Sequence, residues 1–343
     1  GYPEVFRFGL MVIGGAAVAS VCRDRTALLT VVYAYAVAAL ALSIVIITST
    51  RGLWSAPVSG FAEATRFRLA VFSGVGLGGD LNALAVYAGQ GAVVALGLLP
   101  SARGWTRRMA LGTTAVVCGV AAFLPMSRTG VLALLLPLAV MARALGFTRV
   151  KVMVPGLVLV ASLAIAVPDA VYERLSLVPA NATRGTSGAS DNRVVLATAV
   201  VRHLPEYLLA GVGVGQYRGE WGATHGFHIE PYGVLGTHNC FAELTIFWGA
   251  PALMLALLLV WQMWQCVPKA AAADPAAIAL MGLAVVVLVY SLFTHLFWDK
   301  TISIGLGTLV AARLWIWPYR ASHAGFGGHM GPGAPRDPRE ILS

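Results

Sequence analysis

The sequence predicts an all-α integral membrane protein: about nine transmembrane helices and one large extracytoplasmic loop that contains short helices of its own. Three observations carry this expectation. Hydrophobic residues make up 58% of the 343-residue chain and charged residues 11%, with a mean hydropathy of +0.77, a composition far from that of soluble globular proteins. The apolar residues gather in runs that suit a bilayer core about 30 Å thick, which takes about 20 residues of helix to cross. A polar, arginine-bearing stretch from Asp169 to His238 interrupts them.

Taken in order, the candidate spans are Val5 to Cys22, Ala27 to Ile47, Asn82 to Leu99, Met109 to Met126, Val131 to Phe147, Val152 to Val167, Phe241 to Trp264, Ala276 to Phe297 and Thr301 to Trp317. Pro137 and Arg143 interrupt the fifth. The chain opens on Gly-Tyr-Pro, without an initiator Met or a charged leader, which predicts a fragment or processed start and an N-terminally incomplete bundle. Four units follow: N-terminal helices over 1–167, the large loop over 168–239, C-terminal helices over 240–318, and a cytoplasmic tail over 319–343. The tail is rich in Gly, Pro and His and is expected to be disordered; His323 and His329 within it read as solvated spacers.

Orientation follows from the basic residues of the short loops. With the N-terminus outside, Arg23, Arg25, Arg103, Arg107, Arg108, Arg143, Arg149, Lys151, Lys269 and Arg320 fall on one side, which is then the cytoplasm. The outer face receives the stretch from Arg51 to Leu81, Arg128, and the long loop with Arg174, Arg184, Arg193, Arg202 and Arg218. Arginines on that face weaken the topological signal and also suit a site for an anion. The net charge of +9 does not point to nucleic acid, because the arginines sit singly between apolar spans rather than in one stripe with aromatics. Cys22, Cys118, Cys240 and Cys266 lie at or within apolar segments with no CxxC spacing, which predicts buried free thiols.

Chemistry is expected at the outer face. Ser127-Arg128-Thr129-Gly130 joins two spans there, where an arginine is costly unless water or an anion meets it. Arg128 is either a snorkelling loop residue or a guanidinium at the rim of an outward cavity, able to grip phosphate with two parallel N–H donors. Ser190-Asp191-Asn192-Arg193, followed by Val194, Ala197, Val201 and Leu204, has helical spacing, with Ser190 or Asp191 as cap and Pro205 as stop. This predicts a short helix on the membrane surface. Arg193 falls in its first turn, where free N–H groups favour an anion; a solvated charge on an amphipathic helix fits the same spacing. Gly211-Val212-Gly213-Val214-Gly215 lacks the context and spacing of a dinucleotide fingerprint and predicts a turn that lets backbone pack closely.

His238-Asn239 stands at the mouth of the helix that starts near Phe241, with Glu243 one turn further in. An unperturbed imidazole titrates at about 6.5, so His238 is a candidate general base at neutral pH. His203, His225 and His228 share the loop and compete for that role. A zinc cluster of His225, His228 and Glu230 lacks the usual ligand spacing, and Asp169 and Glu173 are the one close carboxylate pair on the outer face. No metal and no cofactor are expected.

Asp80-Leu81-Asn82-Ala83 entering a span, Ser-Arg-Thr-Gly at 127–130, Asp-Asn-Arg at 191–193, Leu-Ala-Gly-Val-Gly-Val-Gly at 209–215 and Thr-His-Asn at 237–239 before a Trp-Gly-Ala-Pro helix come in an order and spacing that resembles the O-antigen ligase and polysaccharide polymerase superfamily. The likeness covers roughly Arg68 to Leu259. It implies a multi-pass glycosyltransferase of the bacterial inner membrane whose loop and active site face the periplasm. Its donor is a glycan on undecaprenyl diphosphate, and its acceptor is lipid A core or a growing glycan. By position, Arg128 and Arg193 correspond to the arginines that hold the donor pyrophosphate, and His238 to the family's proposed base. Asn82 and Asn239, in the matching motifs, join them as substrate-binding candidates. The chain departs from the family in a compact loop and in the Thr-Gly after Arg128.

The implied reaction is a metal-independent, inverting transfer to an acceptor hydroxyl, by a ligase or, alternatively, by a polymerase that joins lipid-linked repeat units. A transporter for lipid-linked sugars is the rival from another class. It would place charges near the bilayer midplane, where these spans are almost free of them.

Overall fold

A computed structural model describes residues 2–50, 69–73, 81–145, 158, 189–229, 233–273, 277–294 and 300–312. The predicted span Val152 to Val167 apart from Val158, the carboxylates Asp169 and Glu173, the stretch 51–68, Asp80, Glu230 and the tail lie outside the described residues.

The described chain is helical apart from one two-residue ribbon. The helices are α1 (Tyr2–Val21), α2 (Arg25–Ser49), α3 (Leu81–Leu98), α4 (Trp105–Phe123), α5 (Arg128–Leu145), α6 (Ala189–Arg202), α7 (Leu204–Tyr207), α8 (Val214–Arg218), α9 (Glu220–Thr224), α10 (Cys240–Ala273), α11 (Ala277–Ser291) and α12 (Lys300–Ala311). Strands β1 (His228–Ile229) and β2 (Gly233–Val234) pair antiparallel, with His228 opposite Val234. Eight of the nine apolar segments predicted from sequence coincide with α1 to α5 and α10 to α12; the ninth is the segment outside the described residues. Among the described residues, three helices have both the length and the composition to cross a membrane, at Arg25–Ser49, Leu81–Ser101 and Cys240–Gln262, and shorter apolar helices run at Val12–Val21 and Ala277–Ser291. The architecture is that of an all-α membrane protein.

Local chemistry sets the helix ends. The Asp24 carboxylate accepts from the Ala27 amide at 2.8 Å and caps α2, occupying one of the donors left free in a first turn. Pro100 closes α3 through a single 3-10 turn at Leu99–Ser101.

The bundle is organised around α3. Fourteen of its eighteen residues are buried, and it packs against α2, α4, α5 and α11. Within a bilayer, helices associate through close packing of small residues rather than by escape from water, and α3 is built for that. A Cβ on Gly91 would lie 2.4 Å from that of Ala39, and one on Gly97 would lie 2.4 Å from the Ala279 Cα. The Gly97–Ala279 approach joins the end of α3 to the start of α11, so these helices run antiparallel. Conversely, α10 presents Met254, Leu255, Leu258 and Trp261 outward, a face suited to acyl chains.

Candidate functional site

Three helix starts meet at one end of the bundle. At the first, Ser127 caps α5. Its hydroxyl accepts from the Gly130 amide at 3.2 Å and donates to the Asn82 side-chain carbonyl at 2.8 Å, which locks the start of α5 to the start of α3. Gly130 is required at this contact, because a Cβ there would lie 2.3 Å from that of Ala85. Ser127 and Thr129 are buried, whereas Arg128 between them is exposed and Asn82 is half-buried. The motif therefore anchors itself through its neighbours and leaves the guanidinium at the surface.

The third start is that of α10. Asn239 caps it: the side-chain oxygen accepts from the amides of Phe241 and Ala242, each at 3.0 Å. The Thr237 hydroxyl donates to the Asn239 carbonyl at 3.1 Å, and the Thr237 amide donates to the carboxylate of Glu243 at 3.1 Å. Glu243 is only 1% exposed, so a buried carboxylate holds the turn from beneath. His238, half-buried between these two anchored residues, takes a φ of +55°. For a residue with a side chain that backbone conformation costs about 1–3 kcal/mol and persists where its surroundings impose it.

The cysteine thiol at the head of α10 donates to the Thr294 carbonyl, just past the end of α11, at 3.4 Å. Since α11 runs antiparallel to α3, the head of α10 lies at the same end as the heads of α3 and α5. Asn82, Arg128 and the His238–Asn239 turn are thereby brought to one end of the bundle. Among the described residues, Met126 and His238 are the two non-glycine residues with positive φ, and each sits in or beside one of these motifs.

The loop reaches this end by entering a break in α10. Gly249 has φ +75° and ψ −171° inside the helix, and Pro251 has no amide to give back to the Phe247 carbonyl. The freed carbonyls of Ile246 and Phe247 accept instead from Val212 at 2.7 Å and Gly213 at 3.1 Å, while the Ala250 amide donates to Leu208. Non-helical backbone at membrane depth is tolerated when protein satisfies it in this way. Gly211, at φ +73°, lies so close that a Cβ would be 2.4 Å from the Phe247 carbonyl carbon. The close backbone packing expected of the glycine run is thus present, and its partner is a helix read from sequence as one unbroken span.

Around this junction the loop builds a small core of rings. Tyr217 packs edge-on against Phe227 at 5.0 Å and Phe247 at 5.3 Å, and its hydroxyl donates to the Leu235 carbonyl at 2.7 Å. Arg218 donates to the Val234 carbonyl at 3.2 Å, fixing the ribbon that leads into the Thr237 turn. Burial pushes the Tyr207 phenol up to about 12 and raises that of Tyr217 further, with the Glu243 charge adding to the latter shift.

The helix predicted after Ser190 is α6, and it starts one residue earlier, so Ser190 and Asp191 lie in its first turn rather than ahead of it. Its buried side chains are Leu196 and Ala199, while Ala197, Val201 and Leu204 of the predicted apolar stripe are exposed. The exposed stripe is the one expected to lie on the membrane surface, and the buried residues pack on the loop itself, as where Ala199 meets Gly226. Arg193, expected in the first turn, is the fifth residue of α6 and so opens its second turn, because the helix starts earlier than the spacing predicts.

The other histidines sort by contact. His203 and His225 share the carboxylate of Glu206, at 2.7 and 3.2 Å, and the hydrogen bond from His203 holds that carboxyl below its ordinary range. Of the trio considered from sequence, His225, His228 and Glu230, the last lies outside the described residues; the group that the described residues bring together is His203, Glu206 and His225, with His228 on β1. Sequence reasoning placed Glu243 one turn into the helix without giving it a role, and it passed over the break in α10. The Gly-Ala-Pro at 249–251 is a signal that could have found the break, since a proline two residues after a glycine frees two carbonyls within a span.

A family model described as O-antigen ligase matches residues 113–257. The match begins within α4 and ends in α10 beyond the break, so it encloses the Ser127–Gly130 corner, the loop and the Thr237–Asn239 turn; Asn82 precedes it. No curated protein matches the chain. Over residues 113–257 this membrane protein is similar to the O-antigen ligase family.

Proposed function

We propose that the protein is a glycosyltransferase that moves a glycan from undecaprenyl diphosphate to an acceptor hydroxyl, with lipid A core as the acceptor. The reaction takes place at the periplasmic face of the bacterial inner membrane. In this reading the bundle crosses the membrane about nine times, the loop over 168–239 is periplasmic, and the end that gathers Asn82, Arg128 and His238 faces out. The observation that carries the proposal is the convergence of three helix starts at that end, inside or beside the family match. Helix N-termini bear partial positive charge and suit phosphate, and an exposed arginine stands among them.

The acceptor oxygen attacks the anomeric carbon, the bond from that carbon to the diphosphate oxygen breaks, and polyprenyl diphosphate departs with the electron pair. His238 takes the hydroxyl proton, a contribution of about 10² to 10⁴ in rate for a positioned base. Arg128 and Arg193 meet the charge that grows on the leaving diphosphate, in the role a divalent ion fills elsewhere. A single displacement inverts the anomeric centre. Asn239, its oxygen engaged in the cap, offers its amide nitrogen to the sugar, and Asn82 orients the corner that carries Arg128. The outward apolar face of α10 solvates the polyprenyl chain.

The test is transfer by the purified protein in lipid, supplied with undecaprenyl-diphosphate oligosaccharide and lipid A core, with products resolved by size. Whole donor glycan on lipid A core is the expected product. A ladder of lengthened donor would make the enzyme a polymerase, and the absence of both products would sink the transfer reading in favour of transport.

A further inference from the structure

His203, Glu206 and His225 come together at a point where the chain changes direction twice, after α6 and after α9, and their contacts raise a question of charge. The His225 Nδ1 lies 2.7 Å from the Trp221 carbonyl and 2.9 Å from the Thr224 hydroxyl. A carbonyl only accepts, so that nitrogen carries a proton. In a neutral ring the lone pair is then on Nε2, which faces a carboxylate oxygen of Glu206 at 3.2 Å. Two acceptors in that position repel each other unless a cation lies between them.

The rings are held for such a cation. His225 stacks on Trp221 with centroids 4.4 Å apart and planes 10° apart, and His203 meets His225 edge-on at 4.8 Å. On the other side of the carboxylate, His203 Nδ1 is 2.7 Å from the second oxygen. One donor atom from each residue lies within 4.8 Å of the other two. Bonds of about 2.0–2.2 Å to nitrogen and oxygen put tetrahedral zinc ligands about 3.4 Å apart, so side-chain rotation of about an ångström closes the set. The backbone contact of His225 Nδ1 is the outer-shell support that fixes tautomer and ring plane in metal-ligating histidines.

We propose that His203, Glu206 and His225 bind a divalent transition ion of the zinc class, with imidazole and carboxylate donors and a fourth position open to solvent. The ion takes the place of the proton between His203 and the carboxylate and fills the gap at His225. It ties the end of α6, the turn of α7 and the end of α9 into one unit, and so fixes the part of the loop that carries Arg193 relative to the part that leads to His238. The site is structural. His238 is not among its ligands, and the proposal does not depend on glycosyl transfer.

The experiment uses the full chain in lipid nanodiscs, with purification tags removed and His323→Ala and His329→Ala introduced to silence the tail. After dialysis against chelator, Co²⁺ is added and followed by visible absorption, then displaced by Zn²⁺ in a calorimeter, and the stripped and loaded forms are melted. One ion per chain, the d–d bands of a four- or five-coordinate nitrogen and oxygen site, and a higher melting midpoint on loading are expected. His203→Gln and His225→Gln should each weaken binding by at least about a hundredfold, beyond the loss typical of an outer-shell partner. Absence of the bands in the wild type, or equal binding by wild type and His225→Gln, would overturn the site and leave an ion pair bridged by a proton. Should the variants fail to fold, the wild-type titration and the paired melts decide alone.

Discussion

The bundle around α3 and the loop that enters α10 are held together by different means. In the bundle, glycine and alanine let helices touch, as where Gly97 lies close against the backbone of Ala279. In the loop, backbone amides complete a broken helix, rings pack edge to face, and a buried carboxylate holds the turn before His238. Packing of the first kind gives a rigid frame at little chemical cost. Packing of the second kind places polar groups at the head of a helix, where the proposed transfer would use them, and it depends on a few close backbone contacts such as that of Gly211 with Phe247.

The sharpest way to break this comparison is a matched pair of glycine substitutions. Gly97→Ala drives a methyl into the α11 backbone, and Gly211→Ala drives one into the α10 backbone while forcing a positive φ on alanine. Each should cost about 2–4 kcal/mol through overpacking, with strain added at Gly211. Thermal melts should fall for both. Only Gly211→Ala should also lower transfer per folded molecule, because only it detaches the loop; equal activity in the two would mean that docking into the break does not shape the site.

A smaller effect is expected at Arg128. Its backbone is fixed by the Ser127 cap and the Gly130 contact, so Arg128→Ala should leave the melting midpoint unchanged. Loss of a charge-assisted bond to phosphate should weaken donor binding by about tenfold to a hundredfold, read from the donor concentration dependence. A midpoint that drops in step with activity would make the arginine a structural residue.

At Asn239, removal of the cap by Asn239→Ala should cost about 1 kcal/mol, and Asn239→Asp should recover it. Turnover is expected to fall in both variants, since neither retains the amide nitrogen. If Asn239→Asp recovers turnover as well, the residue serves the helix alone.

The gentlest test is alkaline. Tyr207 has a folded pKa near 12 against 10 for the free phenol, so the neutral form is favoured by folding. That contribution is complete below pH 10 and is lost as pH rises through about 12. Phenolate absorbance from Tyr207 and Tyr217 should therefore appear late, together with loss of the loop's tertiary signal, and early ionisation of both would deny their burial.

Much of the bundle was legible in the sequence, because a span is a run of apolar residues and needs no partner to be recognised. The loop was less so. The glycine run at 211–215 announced close packing but not its partner, which is fixed by Gly249 and Pro251 some forty residues on. The spacing of α6 marked the apolar stripe that stays exposed at Ala197, Val201 and Leu204, but not Leu196 and Ala199, which are buried. Likewise His203, Glu206 and His225 have no motif spacing; two turns of chain bring them together. Arg128 and His238 stood out because each lies at the head of an apolar segment. Asn82 drew notice for its place in a motif, whereas its bond to Ser127 needed coordinates.

His238, held in a left-handed turn at the head of α10, is the proposed base for sugar transfer. The most direct test compares wild type with His238→Ala in lipid at equal folded amounts and saturating donor. If His238 is the base, the melting midpoint and donor binding stay unchanged and turnover falls by about 10² to 10⁴. Turnover within a few-fold of wild type, or a loss matched by unfolding, would contradict it.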